Sequence, residues 1–193
     1  MLSLQSALLL AVDIIVMIGI AYYFTQTSYF KDVQGNKPSS SSQMVMILVF
    51  GALAIFGTYS GVETDGAIIN IRSLSPMIAG LIGGPVVGLG SGLIGGVHRY
   101  LLGGLTAFPC SLTTILGGLL GGLIYVHKKG QFVGIFWAVV FATLIQAFHM
   151  IMVALLHISP TELVISVGTP TLVATSLGML LFALIHIKWG QPE

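Results

Sequence analysis

Residues 76–98 read PMIAGLIGGPVVGLGSGLIGGVH, and the path of this stretch decides the fold. Gly80, Gly84, Gly88, Gly92 and Gly96 recur every four residues, and Gly83, Gly90 and Gly95 are added. The pentapeptide GLIGG occurs twice, at 80–84 and 92–96, with PVVGLGS between the copies. One geometry is a straight helix whose glycine stripe allows close packing. The other is a broken, re-entrant segment, because proline and clustered glycine let a chain leave a helix and turn. Each half would then be about 10 residues, or ~15 Å of helix, reaching the middle of a membrane. Non-helical backbone survives at that depth only when it is buried in protein or lines a wet cavity.

The rest of the chain is suited to a bilayer. Of 193 residues, 7% are Asp, Glu, Lys or Arg, where a soluble domain carries about 25%. Apolar residues make up 55%, and the mean hydropathy is +1.01. A single domain of this size cannot bury so much apolar surface in water. Disorder is excluded too, since it requires low hydrophobicity and high charge. A net charge of +1 leaves no electrostatic footprint for nucleic acid. The one cysteine, Cys110, can form no internal disulfide, and no Cys/His cluster has metal-site spacing. Neither a metal nor a cofactor is expected.

Six apolar stretches run over 4–25, 44–60, 76–98, 105–126, 132–157 and 163–187. Spanning about 30 Å of hydrocarbon takes ~20 helical residues; the second stretch needs its flanks. The start is not expected to be a cleaved signal peptide. No Lys or Arg precedes the apolar run, Asp13 sits inside it, and no small-x-small site follows.

Charge discriminates between the two geometries through the excess of Lys and Arg in cytoplasmic loops. If 76–98 crosses, six spans put Arg72, Lys128, Lys129 and Lys188 inside and Lys31, Lys37 and Arg99 outside, four against three. If it folds back, Lys31, Lys37, Lys128, Lys129 and Lys188 lie inside, and Arg72 and Arg99 lie outside, five against two. Glu63, Asp65 and Glu162 then fall outside as well. The expected fold class is an all-α membrane protein, a bundle of five transmembrane helices plus a glycine-rich re-entrant segment, with six spans as the alternative. Tyr22, Tyr23, Tyr125, Trp137 and Trp189 would lie toward the inner interface and Tyr59 and Tyr100 toward the outer, a belt that suits either topology.

No nucleophile–base–acid set, phosphate loop or metalloprotease motif is visible, so a receptor or carrier is expected rather than an enzyme. The informative block runs from Asn70 to Thr114. It holds both arginines, one on each side of the glycine-rich segment. A fold-back brings Arg72 and Arg99 to one side, where two guanidinium forks match a carboxylate. A straight helix would separate them by roughly 40 Å. The plainer reading makes each an interfacial anchor. Downstream, Thr106 or a neighbour can cap the next helix, and Pro109 suits its first turn. Cys110, Thr113 and Thr114 share a face by i, i+3, i+4 spacing.

The run NIR…GLIGGPVVGLGSGLIGGVHRYLLGGLTAFPCSLTTILGGLLGGL resembles the membrane input domain of LytS-type sensor histidine kinases, including the branch that senses extracellular pyruvate. N-x-R, GGPVVG, HRY-x-x-GG-x-TA and a Cys three residues before a hydroxyl carry the likeness, which is dense from Asn70 to Leu123. In the pyruvate-sensing branch two arginines, a cysteine and a serine hold the ligand. The resemblance implies Arg72, Arg99, Cys110 and Thr113 here, with Thr in place of Ser adding a methyl. Asn70, His98 and Thr114 are expected as supporting residues. The resemblance also implies five spans, a homodimer, a bacterial cytoplasmic membrane location and a cytoplasmic kinase or cyclase following the input domain. Residues 1–193 are accordingly expected to be a single transmembrane sensor domain lacking its output domain.

Asp13, His149 and His157 are further polar residues within the apolar stretches. Asp13 costs about 2.5–3.5 kcal/mol at mid-membrane and must face the bundle, pair or be protonated. His149 and His157 are expected as packing residues. Two further function classes compete with the sensor. One is the substrate-binding subunit of a vitamin importer, for which Ala7 and Ala11 form an A-x-x-x-A docking pair. The other is a channel or intramembrane enzyme, against which the lack of a charged pathway counts. The expected partners are a small, pyruvate-like carboxylate and the lipid bilayer, and no nucleic acid.

Overall fold

A computed structural model of the protein describes residues 4–35, 38–64, 67–156 and 161–189. Lys37, Asp65 and His157 lie outside these residues, as do the side chains of Ala7, Glu63, Glu162 and Trp189. The elements are α1 (Leu4–Thr25), α2 (Ser28–Val33), α3 (Ser40–Tyr59), β1 (Val62–Thr64), β2 (Ala67–Ile69), α4 (Leu74–Leu101), α5 (Ala107–His127), α6 (Ile135–Leu155) and α7 (Thr161–Trp189). Among the described residues, six helices are long and apolar enough to cross a membrane by length and composition. The fold is an all-α membrane bundle carrying one small antiparallel hairpin, in which Val62 pairs with Ile69 and Thr64 with Ala67.

One of the six, α4, is not straight. Gly84 has φ 82° and ψ −176°, a conformation that is essentially glycine-only. Pro85 follows as the first residue of a new helical arm, where its fixed φ fits and its missing N–H costs nothing. The arms 74–83 and 85–101 lie against each other: a Cβ on Gly88 would stand 2.7 Å from the Cα of Gly80. In a continuous helix these residues would be about 12 Å apart. The segment therefore re-enters, as the charge count predicts. It reaches further than expected. Gly84 lies against the ring of Tyr125, near the end of α5, so the turn sits close to the far side of the bundle. The physical reason is the unequal lengths of the arms. The second is about 25 Å long, and the first, about 15 Å, begins part-way down.

The glycines make this approach possible. A Cβ on Gly80 would be 2.7 Å from Gly122 N, and one on Gly96 would be 2.9 Å from Ser111 O. Helix α5 thus lies against both arms, backbone to backbone. Helix α3 covers the other side, with Gly90 against Ile47, Gly95 against Ala54 and the Ser75 hydroxyl donating to Phe50 O at 2.7 Å. Within a bilayer such packing replaces the hydrophobic effect as the main attraction between helices. Leu8, Ile15, Leu144 and Leu177 remain exposed, as lipid-facing side chains do.

At one end of the bundle, His186 near the end of α7 packs its ring on Phe30 of α2 and Phe132 of the α5–α6 loop. Lys31, Lys128, Lys129 and Lys188 belong to that end, which the positive-inside rule makes cytoplasmic. Asp32 Oδ2 accepts from Ser39 N at 3.0 Å, and the Ser39 hydroxyl caps α3 by accepting from Ser42 N at 3.2 Å.

Candidate functional site

The β-hairpin leads into a non-helical stretch, residues 70–73, buried between α3 and α5. Its backbone is satisfied by protein, as this depth requires: Asn70 Oδ1 accepts from Arg72 N at 3.3 Å, and Leu74 N donates to Ile71 O at 2.9 Å. Arg72 is held here with 3% of its surface exposed. Its Nε donates to Thr114 Oγ1 at 3.1 Å and its Nη1 to Thr58 Oγ1 at 3.5 Å.

Arg99 arrives on the returning arm, also 3% exposed. Its Nη2 donates to Thr106 Oγ1 at 3.2 Å and its Nη1 to Gly103 O. Gly103 and Gly104 have φ 70° and 91°, and this left-handed turn brings the Gly103 carbonyl back to the guanidinium. The Arg99 Nε is buried without a partner among the described residues. Arg72 has both Arg99 and Cys110 as electrostatic neighbours. No hydrogen bond joins either arginine to a carboxylate among the described residues.

Thr106, Cys110 and Thr114 are spaced four apart at the start of α5, a row of about 12 Å on one face. Arg99 holds one end, Arg72 holds the other, and the thiol lies between them. Thr114 donates to Cys110 O at 2.8 Å while accepting from Arg72. Thr113, 2% exposed, donates to Pro109 O at 2.7 Å. Thr106 makes no side-chain cap bond to α5. Its hydroxyl accepts from Arg99 instead, a correction to the capping role expected from sequence. His98 Nε2 lies 3.3 Å from the Tyr59 hydroxyl, beside the Arg99 arm. Asp13 is buried in α1, with Oδ2 unpartnered among the described residues.

Three participants escaped the sequence reading. Thr58 on α3 supports Arg72. On α6, His149 Nε2 lies 3.2 Å from Cys110 Sγ, and His149 Nδ1 lies 3.2 Å from Gln146 Nε2. His149 is thus more than a packing residue. The available signal was the i, i+3 pair of polar residues on one face of an otherwise apolar helix.

A family model described as "5TMR of 5TMR-LYT" matches residues 27–188. The chain belongs to the 5TMR-LYT family. "Sensor histidine kinase BtsS" of Escherichia coli (strain K12) is 33% identical over 183 residues, which cover 91% of this chain and 33% of the relative. "Sensor protein LytS" of Bacillus anthracis is 29% identical over 212 residues, covering 100% of this chain and 36% of the relative. The LytS protein of Bacillus subtilis (strain 168) is 30% identical over 203 residues, covering 94% and 34%. The chain spans about a third of the length of the curated relatives it matches. No solved structure matches. The 5TMR-LYT chain is thus a LytS-type, multi-pass receptor domain, and its relatives are sensors rather than importer subunits.

Proposed function

We propose that this 5TMR-LYT domain is the input domain of a sensor histidine kinase and binds a small carboxylate, pyruvate first, from outside the bacterial cytoplasmic membrane. The observation that carries this reading is the pair of buried guanidiniums, each 3% exposed, held on one face of α5 by hydroxyls instead of acids. Two cations at such depth are costly, and an anion between them would offset that cost. The carboxylate lies between Arg72 and Arg99, and the keto oxygen turns toward Cys110 and Thr113. Asn70 and Thr114 fix Arg72, and His98 stiffens the Arg99 arm. The occupied site joins the 70–73 stretch that leads into the first arm, the returning arm and α5, so a ligand there draws the re-entrant segment and the helix together. A cytoplasmic kinase domain receives that change, and the functional unit is a homodimer.

Pyruvate has six heavy atoms. At about 1.5 kcal/mol per atom its affinity is capped near 9 kcal/mol, at or slightly tighter than micromolar. Calorimetric titration of the purified protein with a panel of small acids tests the reading. Arg72→Ala and Arg99→Ala should each cost several kcal/mol, since each removes a charged hydrogen bond. Arg→Lys should restore binding in part, because an ammonium lacks the fork, and acetate should bind more weakly than pyruvate. Parent-like pyruvate binding by both folded alanine variants would place the site elsewhere.

A further inference from the structure

Carboxylate recognition leaves the His149–Gln146 pair behind Cys110 without a task. Its parts come from two helices: Cys110 on α5, and Gln146 and His149 on α6. Cys110 and Gln146 are buried. The sulfur–imidazole and imidazole–amide separations are both 3.2 Å. A nucleophile, a base within hydrogen-bond reach and a third group orienting the base make the arrangement that activates a thiol for covalent chemistry. With the Gln146 carbonyl turned toward Nδ1–H, an interchange of amide ends that keeps the heavy atoms in place, the Nε2 lone pair faces the thiol.

A second observation points to a ligand at the same place. The Arg99 guanidinium, 3% exposed, has a buried Nε without a partner among the described residues. Arg72 and Arg99 both act electrostatically on Cys110. Negative charge developing on a molecule bound beside the sulfur would therefore meet two fixed cations in a dry setting, where they act most strongly.

We infer that Cys110 holds a 2-oxo acid covalently and reversibly, as a thiohemiketal formed with His149 as proton carrier. This rests on the carboxylate reading above. Sγ attacks the keto carbon, the C–S bond forms, and the π pair of the carbonyl moves onto its oxygen. The thiol proton passes to His149 Nε2 and from there to that oxygen. No atom leaves and nothing is oxidised or reduced, so the addition reverses along the same path. Gln146 is a positioning residue that orients the imidazole. The adduct makes the site read two groups at once, the carboxylate through the arginines and the electrophilic carbon through the thiol. Acetate and lactate carry the charge but no electrophilic carbon.

The test uses the full chain in lipid nanodiscs with [2-13C]pyruvate. The bound labelled carbon should resonate in the tetrahedral range and return to the keto position on washout. His149→Gln should slow appearance of that signal by about a hundredfold or more, the range for a lost general acid–base. Gln146→Leu, which keeps the thiol–imidazole pair, should slow it less, and it provides a second variant if His149→Gln does not fold. Bound pyruvate with a trigonal carbon in the parent protein overturns the adduct and leaves the carboxylate reading standing. Absence of calorimetric pyruvate binding by the parent overturns both. A parent-like rate in folded His149→Gln and Gln146→Leu overturns the proton-carrier role.

Discussion

Gly88→Ala tests the fold-back directly. The added methyl carbon would sit 2.7 Å from Gly80 Cα and 2.9 Å from Gly118 C. Both neighbours are backbone atoms, and neither can swing aside as a side chain could. Overpacking usually costs 1–3 kcal/mol, and here the upper part of that range applies. Alanine in a helix recovers about 1 kcal/mol relative to glycine, leaving a net loss of about 2 kcal/mol. Gly19→Ala is the matched control: nothing lies within 4 Å of its Cβ position, so it should gain up to about 1 kcal/mol. At roughly 2–4 °C per kcal/mol for a chain of this size, the two variants should melt about 6–12 °C apart. The assay is thermal unfolding in detergent, followed by the loss of the monodisperse peak in size-exclusion chromatography. The fold-back makes a sharper claim for the pair. Gly80→Ala and Gly88→Ala touch the same space, so the double variant should deviate from additivity by about 0.5–3 kcal/mol. In a straight α4 the sites would be about 12 Å apart and their effects would add. Additive losses, or a Gly88→Ala variant as stable as Gly19→Ala, would refute the hairpin geometry.

Thr114→Val removes the hydroxyl that accepts from Arg72 Nε and should weaken pyruvate binding by about 1–3 kcal/mol. Thr114→Ser keeps the hydroxyl and should bind within a few-fold of the parent; equal loss in both variants would mean that the hydroxyl does not position the arginine. Single cysteines at positions 35 and 128, in a background lacking Cys110, should both be labelled only from the cytoplasmic side, and labelling of position 35 from outside would sink the five-span topology. The Asp32 carboxyl is held below the usual carboxylate range by the Ser42 hydroxyl first, then by the Ser39 N–H and hydroxyl. Its contribution to stability is therefore full above the ordinary carboxylate pKa and lost as pH falls through the lower folded value. Asp32→Asn should lose that acid-dependent part, which melting curves between about pH 5 and pH 2 would show as a flatter pH profile.

Much of the architecture is legible along the chain because its causes are local. The Gly83-Gly84-Pro85 run contains both the residue that can adopt a glycine-only conformation and the one that can start the next arm. The lysine distribution orients the bundle through loops adjacent in sequence to each span. The depth of the turn was less legible, because it depends on Gly84 meeting Tyr125 and on residues 70–73 entering the bundle before the first arm begins. The β-hairpin also went unread: its strands are three residues each, too short for an alternating pattern to register, although Asp65-Gly66 is a recognised hairpin dipeptide.

The same division runs through the site. Sequence by itself determined that this is a membrane bundle with two arginines flanking a glycine-rich segment, and charge favoured a fold-back over a sixth span; the Gly84 geometry decided it. It also placed Cys110, Thr113 and Thr114 on one helix, because the helical repeat is fixed by backbone geometry. Only the tertiary structure decided what each polar group faces. Thr106 could cap a helix or accept from an arginine, and the choice fell to Arg99 because the returning arm brings the guanidinium within 3.2 Å. His149, 39 residues from Cys110, became its neighbour through the packing of α6 on α5. A hydroxyl, thiol or imidazole bonds whatever arrives within about 3 Å with suitable direction. That arrival is set by how two helices cross, and no local stretch of sequence encodes it.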